Sequence, residues 1–370
     1  MTPSSHHSIR QRGVTLIELM VTIAITLFLI AAAAYVYLGT RETQRAIDRN
    51  GSNAETGTFV LQLIGRDIMK SGYYPANISR IAPNEPFPKL TSYPPVRLAE
   101  NAALATDWTP PAPQAAYLSG LFGCDGARYN PSATPPCGTP SDTEPDSLVV
   151  NYFTNDTMDV NVGDRFDCTG ADVTNDVSTS NNNRRNTAQP NLPPLQPLFV
   201  SNRYALSDLK KTEIDQQEVT TRSLACVGNG SGDNAGSSGI PYQPMIAGIE
   251  DMQITYGVFA TTAPSTENMA RRTPDKYLTA TEVSNLSTVS VEFGALGITP
   301  LPPWSRVVSV RVCVMAKSIG ASPKIAAPTS AERKYMDCKG VEKTQDASDK
   351  SLRKRFVQEF AVRNRLNQAY

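Results

Sequence analysis

Glu18 is the residue whose placement most needs a chemical reason. It is the only charge in the 25 residues from Val14 to Leu38, "VTLIELMVTIAITLFLIAAAAYVYL". An acidic side chain at the centre of a membrane helix costs roughly 2.5–3.5 kcal/mol. Nearer the end the cost falls, but a plain anchor gains nothing from a carboxylate. A charge inside a membrane normally has a partner, so Glu18 requires one.

Other candidate chemistry is sparse. His6 and His7 are the only histidines, and both precede the apolar run. With a cleaved leader the mature chain has none, which excludes a Ser-His-Asp triad, a Cys-His pair and a histidine zinc site. The chain has no G-x-x-x-x-G-K-[ST], G-x-G-x-x-G or G-x-S-x-G pattern, so phosphate cradles and nucleophile elbows lack a candidate. "DVNVGDRFD" (159–167) offers Asp159, Asn161, Asp164 and Asp167. An EF-hand count from Asp159 puts Gly163 at position 5, where position 6 is required, so the stretch reads as turn. No cofactor and no metal are expected. Lysine plus arginine and aspartate plus glutamate each total 35, so the basic footprint of a nucleic-acid binder is missing.

The six cysteines, Cys124, Cys137, Cys168, Cys226, Cys313 and Cys338, all follow the apolar run, and none forms a C-x-x-C pair. Behind an export signal an even count reads as disulfides in an oxidising compartment. Of the 15 pairings that six cysteines allow, proximity favours Cys124–Cys137 and Cys313–Cys338, which leaves Cys168–Cys226. Buried free thiols are the alternative.

Three readings compete for the segment that carries Glu18. A secretory signal would use Arg10 and Arg12 as its basic region and be cut within Ala31–Ala34. A signal anchor would stay uncut, since 25 residues at about 1.5 Å each cross a roughly 30 Å core. Neither accounts for Glu18. The third rests on Gly13, Val14, Thr15, Leu16, Ile17 and Glu18, "GVTLIE", behind a basic leader. This stretch resembles the class III leader of type IV pilins, with Val14 where that family more often has Phe. The resemblance implies cleavage after Gly13 by a prepilin peptidase, N-methylation of Val14, and Glu18 as charge partner for a neighbouring subunit's N-terminal ammonium.

Beyond Leu38 a helix is expected to continue as an amphipathic half (39–72). Ile47, Ala54, Leu61 and Ile68 recur every seven residues, widened by Leu63 and Ile64. Gly51 and Gly57 each weaken it by about 1 kcal/mol relative to alanine, which allows a kink near "NGSN", and Gly72 ends it. The remainder (73–370) is expected to be a β-rich domain. Residues 76–145 read as loop, since 75–140 hold 13 of the 28 prolines, and polar stretches set further loops at 165–200 and 228–241. Strands are expected at 146–154, at 252–259, at 306–316 with Val308, Val310, Val312 and Val314 on one face, and at 355–364. The fold class is α+β, a long N-terminal helix on an antiparallel sheet.

"FVLQLIGRDIMKSGYYP" (59–75), "MIAGIEDMQITYGV" (245–258), "VVSVRVCVMAKS" (307–318) and "FVQEFAVRNR" (356–365) are similar, in this order, to landmarks of the PilW family of minor pilins. Within the first, Arg66-Asp67 reads as a surface pair rather than a site. The resemblance implies a non-enzymatic minor pilin that crosses the inner membrane once with its C-terminal domain in the periplasm. It would help prime assembly with other minor pilins and the major pilin, then sit at or near the pilus tip, with a tip adhesin as a further partner, in support of twitching motility and adhesion. A pseudopilin of a type II secretion system shares leader and fold. A secreted or anchored enzyme is the reading from a different class.

Overall fold

The computed structural model describes residues 15–73, 120–130, 136–153, 166–171, 199–214, 217–228, 242–259, 273–287, 289–292, 298–301, 303–318, 334–345, 349 and 351–364. Thirteen strands and two helices are named among them. Helix α1 spans Leu16–Lys70, and a short helix, α2, spans Ala280–Ser284. The strands are β1 (Leu121–Cys124), β2 (Ser147–Phe153), β3 (Phe199–Leu206), β4 (Lys210–Ile214), β5 (Gln217–Val227), β6 (Gln243–Val258) and β7 (Lys276–Leu278). They continue as β8 (Val289–Glu292), β9 (Ile298–Leu301), β10 (Val307–Lys317), β11 (Lys334–Met336), β12 (Glu342–Thr344) and β13 (Arg353–Ala361).

Nine strands form one antiparallel sheet in the order β1-β2-β3-β5-β6-β10-β13, with β4 added to β5 and β7 to β6. Two hairpins, β8–β9 and β11–β12, stand apart. The architecture is α+β. The C-terminal half of α1 packs on β13, β10, β6 and β2. Val60, Leu61, Ile64 and Ile68 of the helix share one buried cluster with Met252, Ile254, Val310, Val312 and Val314. On the same apolar face Trp304 packs against Phe122 and Tyr256, with centroids 5.0 and 4.9 Å away.

The helix is continuous through Gly51 and Gly57, so the two glycines do not break it. It stops where expected: Ser71 caps it and Gly72 takes φ of +69°, a conformation glycine adopts without steric cost. The buried helix face begins later than the seven-residue spacing implies. Ile47 is 65% exposed, and the face starts at Asn53, because the sheet does not extend under the earlier turns.

In β10 the residues facing α1 are Val310, Val312, Val314 and Ala316, all fully buried. Val308 leaves this face because a register irregularity against β6 lies between Val307 and Ser309. A bulge inserts one residue and so inverts the alternation on one side of it. The stretch read as loop to residue 145 contains β1, paired to β2 with Phe122 opposite Val149. Of the expected loops, 76–119, 131–135, 165, 172–198 and 229–241 lie outside the described residues, while 199–200 already belong to β3.

The cysteines pair as Cys124–Cys137, Cys168–Cys226 and Cys313–Cys338. The third bond ties the β11–β12 hairpin to the sheet face opposite α1. Asp167 accepts hydrogen bonds from Thr169 N, Thr169 Oγ1 and Ala171 N, an Asx turn in keeping with turn chemistry. Asp159, Asn161 and Asp164 lie outside the described residues.

Candidate functional site: the N-terminal helix and its seat on the sheet

The helix starts at a well-formed cap. Thr15 has φ −72° and ψ 150°, and its hydroxyl accepts from Glu18 N at 3.3 Å. The Glu18 side chain turns back toward Thr15 Oγ1, which donates to its carboxylate at 3.5 Å. Its carboxylate therefore lies in the first turn, where the helix dipole favours negative charge. Leu16 and Ile17 beside it are 76% and 73% exposed. Gly13 and Val14 lie outside the described residues.

From Leu16 to Leu38 apolar side chains surround the helix on every side, and among the described residues none of them is buried. By length and composition this segment is able to cross a membrane. Its threonine hydroxyls are satisfied within the helix: Thr22 donates to Leu19 O and Thr26 to Thr22 O, at 2.9 and 2.7 Å. A threonine hydroxyl that bonds back to the preceding turn is not itself left open to hydrocarbon.

The other half of the helix is seated by features that periodicity does not reveal. Gly57 and Gly65 face the rings of Phe356 and Phe360, so close that a Cβ at either position would collide with the ring. The two glycines are eight residues apart on a helix, about 12 Å. The two phenylalanines are four apart on a strand, about 13 Å. The matching repeats let α1 lie along β13. Asn53 Nδ2 donates to Leu352 O at 3.1 Å at one end of this contact, and Asn364 Nδ2 donates to Met69 O at 3.0 Å at the other.

Asp67 is not half of a surface pair. Arg66 points to solvent, while Asp67 is 6% exposed and accepts from Asn202 Nδ2 and Tyr204 Oη of β3, both at 2.6 Å. Burial pushes its carboxyl above the usual range, although Tyr204 and Asn202 bind the charged form. Helix position alone could not have found this, because the acceptor's donors lie more than 130 residues away.

A second buried carboxylate, Asp146, stands beside β6. Strand β5 pairs with β6 up to Ile249, and β7 pairs from Tyr256 onward. In the gap Asp146 N donates to Met252 O at 2.9 Å, and Asp146 Oδ2 accepts from Ile254 N at 2.7 Å. Its other oxygen accepts from Gly126 N at 2.8 Å. Burial pushes this carboxyl up to about 7. Among the described residues no group of histidine, cysteine, aspartate and glutamate side chains is arranged to hold a metal.

Comparison with known proteins agrees with this geometry. The family model for the type IV pilus-assembly protein W matches residues 212–364, a span that runs from within β4 to the end of the described chain. The prokaryotic N-terminal methylation motif matches residues 9–34, the leader and the start of α1. No curated protein matches the chain. A type IV-like pilin from Thermus thermophilus is a structural neighbour at 11% identity and a TM-score of 0.27, covering 61% of this chain and 82% of its own. A methylation-motif helix seated on an antiparallel sheet defines a type IV pilin-like protein. Within that class, residues 212–364 of the chain are similar to the type IV pilus-assembly protein W family. Proteins of these families are structural pilus components, not enzymes.

Proposed function

We propose that the protein is cut after Gly13 by prepilin peptidase, N-methylated at Val14 and held in the inner membrane by residues 14–38, with residues 73–370 on the periplasmic side. There it joins other minor pilins to prime assembly, receives the major pilin below it, and leaves in the filament at or near the tip, in support of motility and adhesion. Residues 39–72 link the bundling segment to the globular domain. The observation that carries this reading is the helix half from Leu16 to Leu38, which is apolar on every side, is exposed along its whole length among the described residues, and begins with a single carboxylate at Glu18. In a filament that surface is covered by the same segments of neighbouring subunits, and Glu18 meets a neighbour's N-terminal ammonium.

Two measurements test it. Mass spectrometry of the mature protein should find N-methylated Val14 only in cells with the peptidase; a start near Ala34 would end the proposal. Glu18→Ala should leave cleavage largely intact while surface piliation and twitching fall. Normal piliation in that variant would remove the charge-partner role. Loss of protein export with normal pili on deletion would assign the chain to a type II secretion pseudopilin instead.

A further inference from the structure

The apolar run of α1 ends on two tyrosines, and an arginine stripe follows it. Tyr35 and Tyr37 are 82% and 63% exposed. Arg41 and Arg45, one helical turn apart, are also exposed, and Arg49 a further turn on is half-buried. Among the described residues neither Arg41 nor Arg45 has an ion-pair partner. The sheet does not reach this part of the helix, whose first buried residue is Asn53.

Height along the axis decides what these cations can meet. Taking Leu38 as the edge of the hydrocarbon, Arg41 lies about 4 Å above it, Arg45 about 10 Å and Arg49 about 16 Å, at about 1.5 Å per residue. The headgroup layer of one leaflet is about 5–8 Å thick. An arginine stem reaches several ångströms along the helix while its guanidinium stays in the polar layer. Arg41 and Arg45 therefore fall at phosphate height, and Arg49 lies above it. Tyrosines one or two turns below are the side chains that favour the boundary itself. Guanidinium binds phosphate through two parallel hydrogen bonds, which an exposed i, i+4 pair of arginines presents together.

We infer that Arg41 and Arg45 form a binding site for anionic phospholipid headgroups in the leaflet that faces the globular domain, and that this site holds the subunit at a set height before it enters a filament. The inference rests on residues 14–38 crossing a membrane. One basic residue at headgroup height is worth roughly fivefold in attraction to an anionic surface. Two arginines, less the single opposing charge of Glu42, leave roughly a fivefold preference.

The full-length protein, reconstituted in phosphatidylcholine vesicles, is probed with spin-labelled phosphatidylglycerol or spin-labelled phosphatidylcholine, and the immobilised fraction of each is compared. Native protein should immobilise phosphatidylglycerol with roughly fivefold selectivity, and high salt or the double variant Arg41→Gln/Arg45→Gln should bring the ratio near one. Equal immobilisation of both lipids by native protein would overturn the site and give the arginines to a protein contact. A preference that survives in the double variant would also overturn it. Flotation with neutral vesicles reports separately on the underlying reading: protein that fails to float with them does not insert, and the membrane span falls along with the site.

Discussion

Two buried carboxylates, Asp67 and Asp146, do in this protein what apolar residues usually do in a core: they join segments far apart in sequence. Asp146 has the larger consequence for stability. In the unfolded chain its pKa is near 3.8, and in the folded chain burial lifts it to about 7. A carboxyl raised on folding binds its proton more tightly in the native state, so its contribution is complete below about pH 4 and is lost as pH rises through about 7. Asp67 and Asp251 shift in the same direction by burial. Asp349 and Glu359 are held low and act oppositely, losing stability as pH falls. Comparison with Asp146→Asn isolates the one group. The variant should be less stable at pH 4 by about 1–3 kcal/mol, since its amide faces a backbone N–H that the acid accommodates. Between pH 4 and 7 its urea midpoint should decline less than that of the native protein. Equal slopes would mean that Asp146 titrates normally.

At the scale of elements, the contact of α1 with β13 is a fit of notches to rings. Helix propensity alone ranks every glycine-to-alanine change as stabilising by about 1 kcal/mol. The structure divides the glycines of α1 into two kinds. A Cβ at Gly51 would meet nothing within 4 Å, whereas at Gly65 it would collide with the ring of Phe360, itself only 6% exposed. Gly51→Ala should therefore raise stability by up to about 1 kcal/mol, and Gly65→Ala should lower it by about 1–3 kcal/mol through overpacking. Opposite signs in thermal unfolding of the two variants are the expected result. Gly57 faces the half-buried ring of Phe356, which has room to swing outward, so its substitution should fall between them. The glycines and the phenylalanines were each visible in the sequence as residues. Their partnership was not, because nearly 300 residues separate them and only the folded sheet brings β13 under the helix.

For the molecule as a whole, the Cys313–Cys338 bond spans 25 residues and is the covalent tie between the β11–β12 hairpin and the sheet. A closed loop of that size contributes about 3 kcal/mol by restricting the unfolded chain. Cys313→Ser/Cys338→Ser should lower stability by about that amount and expose the hairpin, Lys334–Thr344, to limited proteolysis, while α1 stays on the sheet and remains protected from amide exchange. Loss of protection across α1 would mean that the hairpin supports the whole fold. By itself the sequence determined what depends on local pattern. The apolar run, the leader spacing around Gly13 and Glu18, the stop at Gly72 and the class of fold are all written in neighbouring residues, because helix caps and hydrophobic runs act over a few positions. The strands with regular β-branched alternation were legible for the same reason. Only tertiary structure decided which glycines are notches, that Asp67 faces inward, that a bulge turns Val308 off the core face, that Asp146 occupies the gap in β6, and that residues 121–124 form a strand. Each of these depends on a partner far along the chain, and burial has no value until that partner is in place.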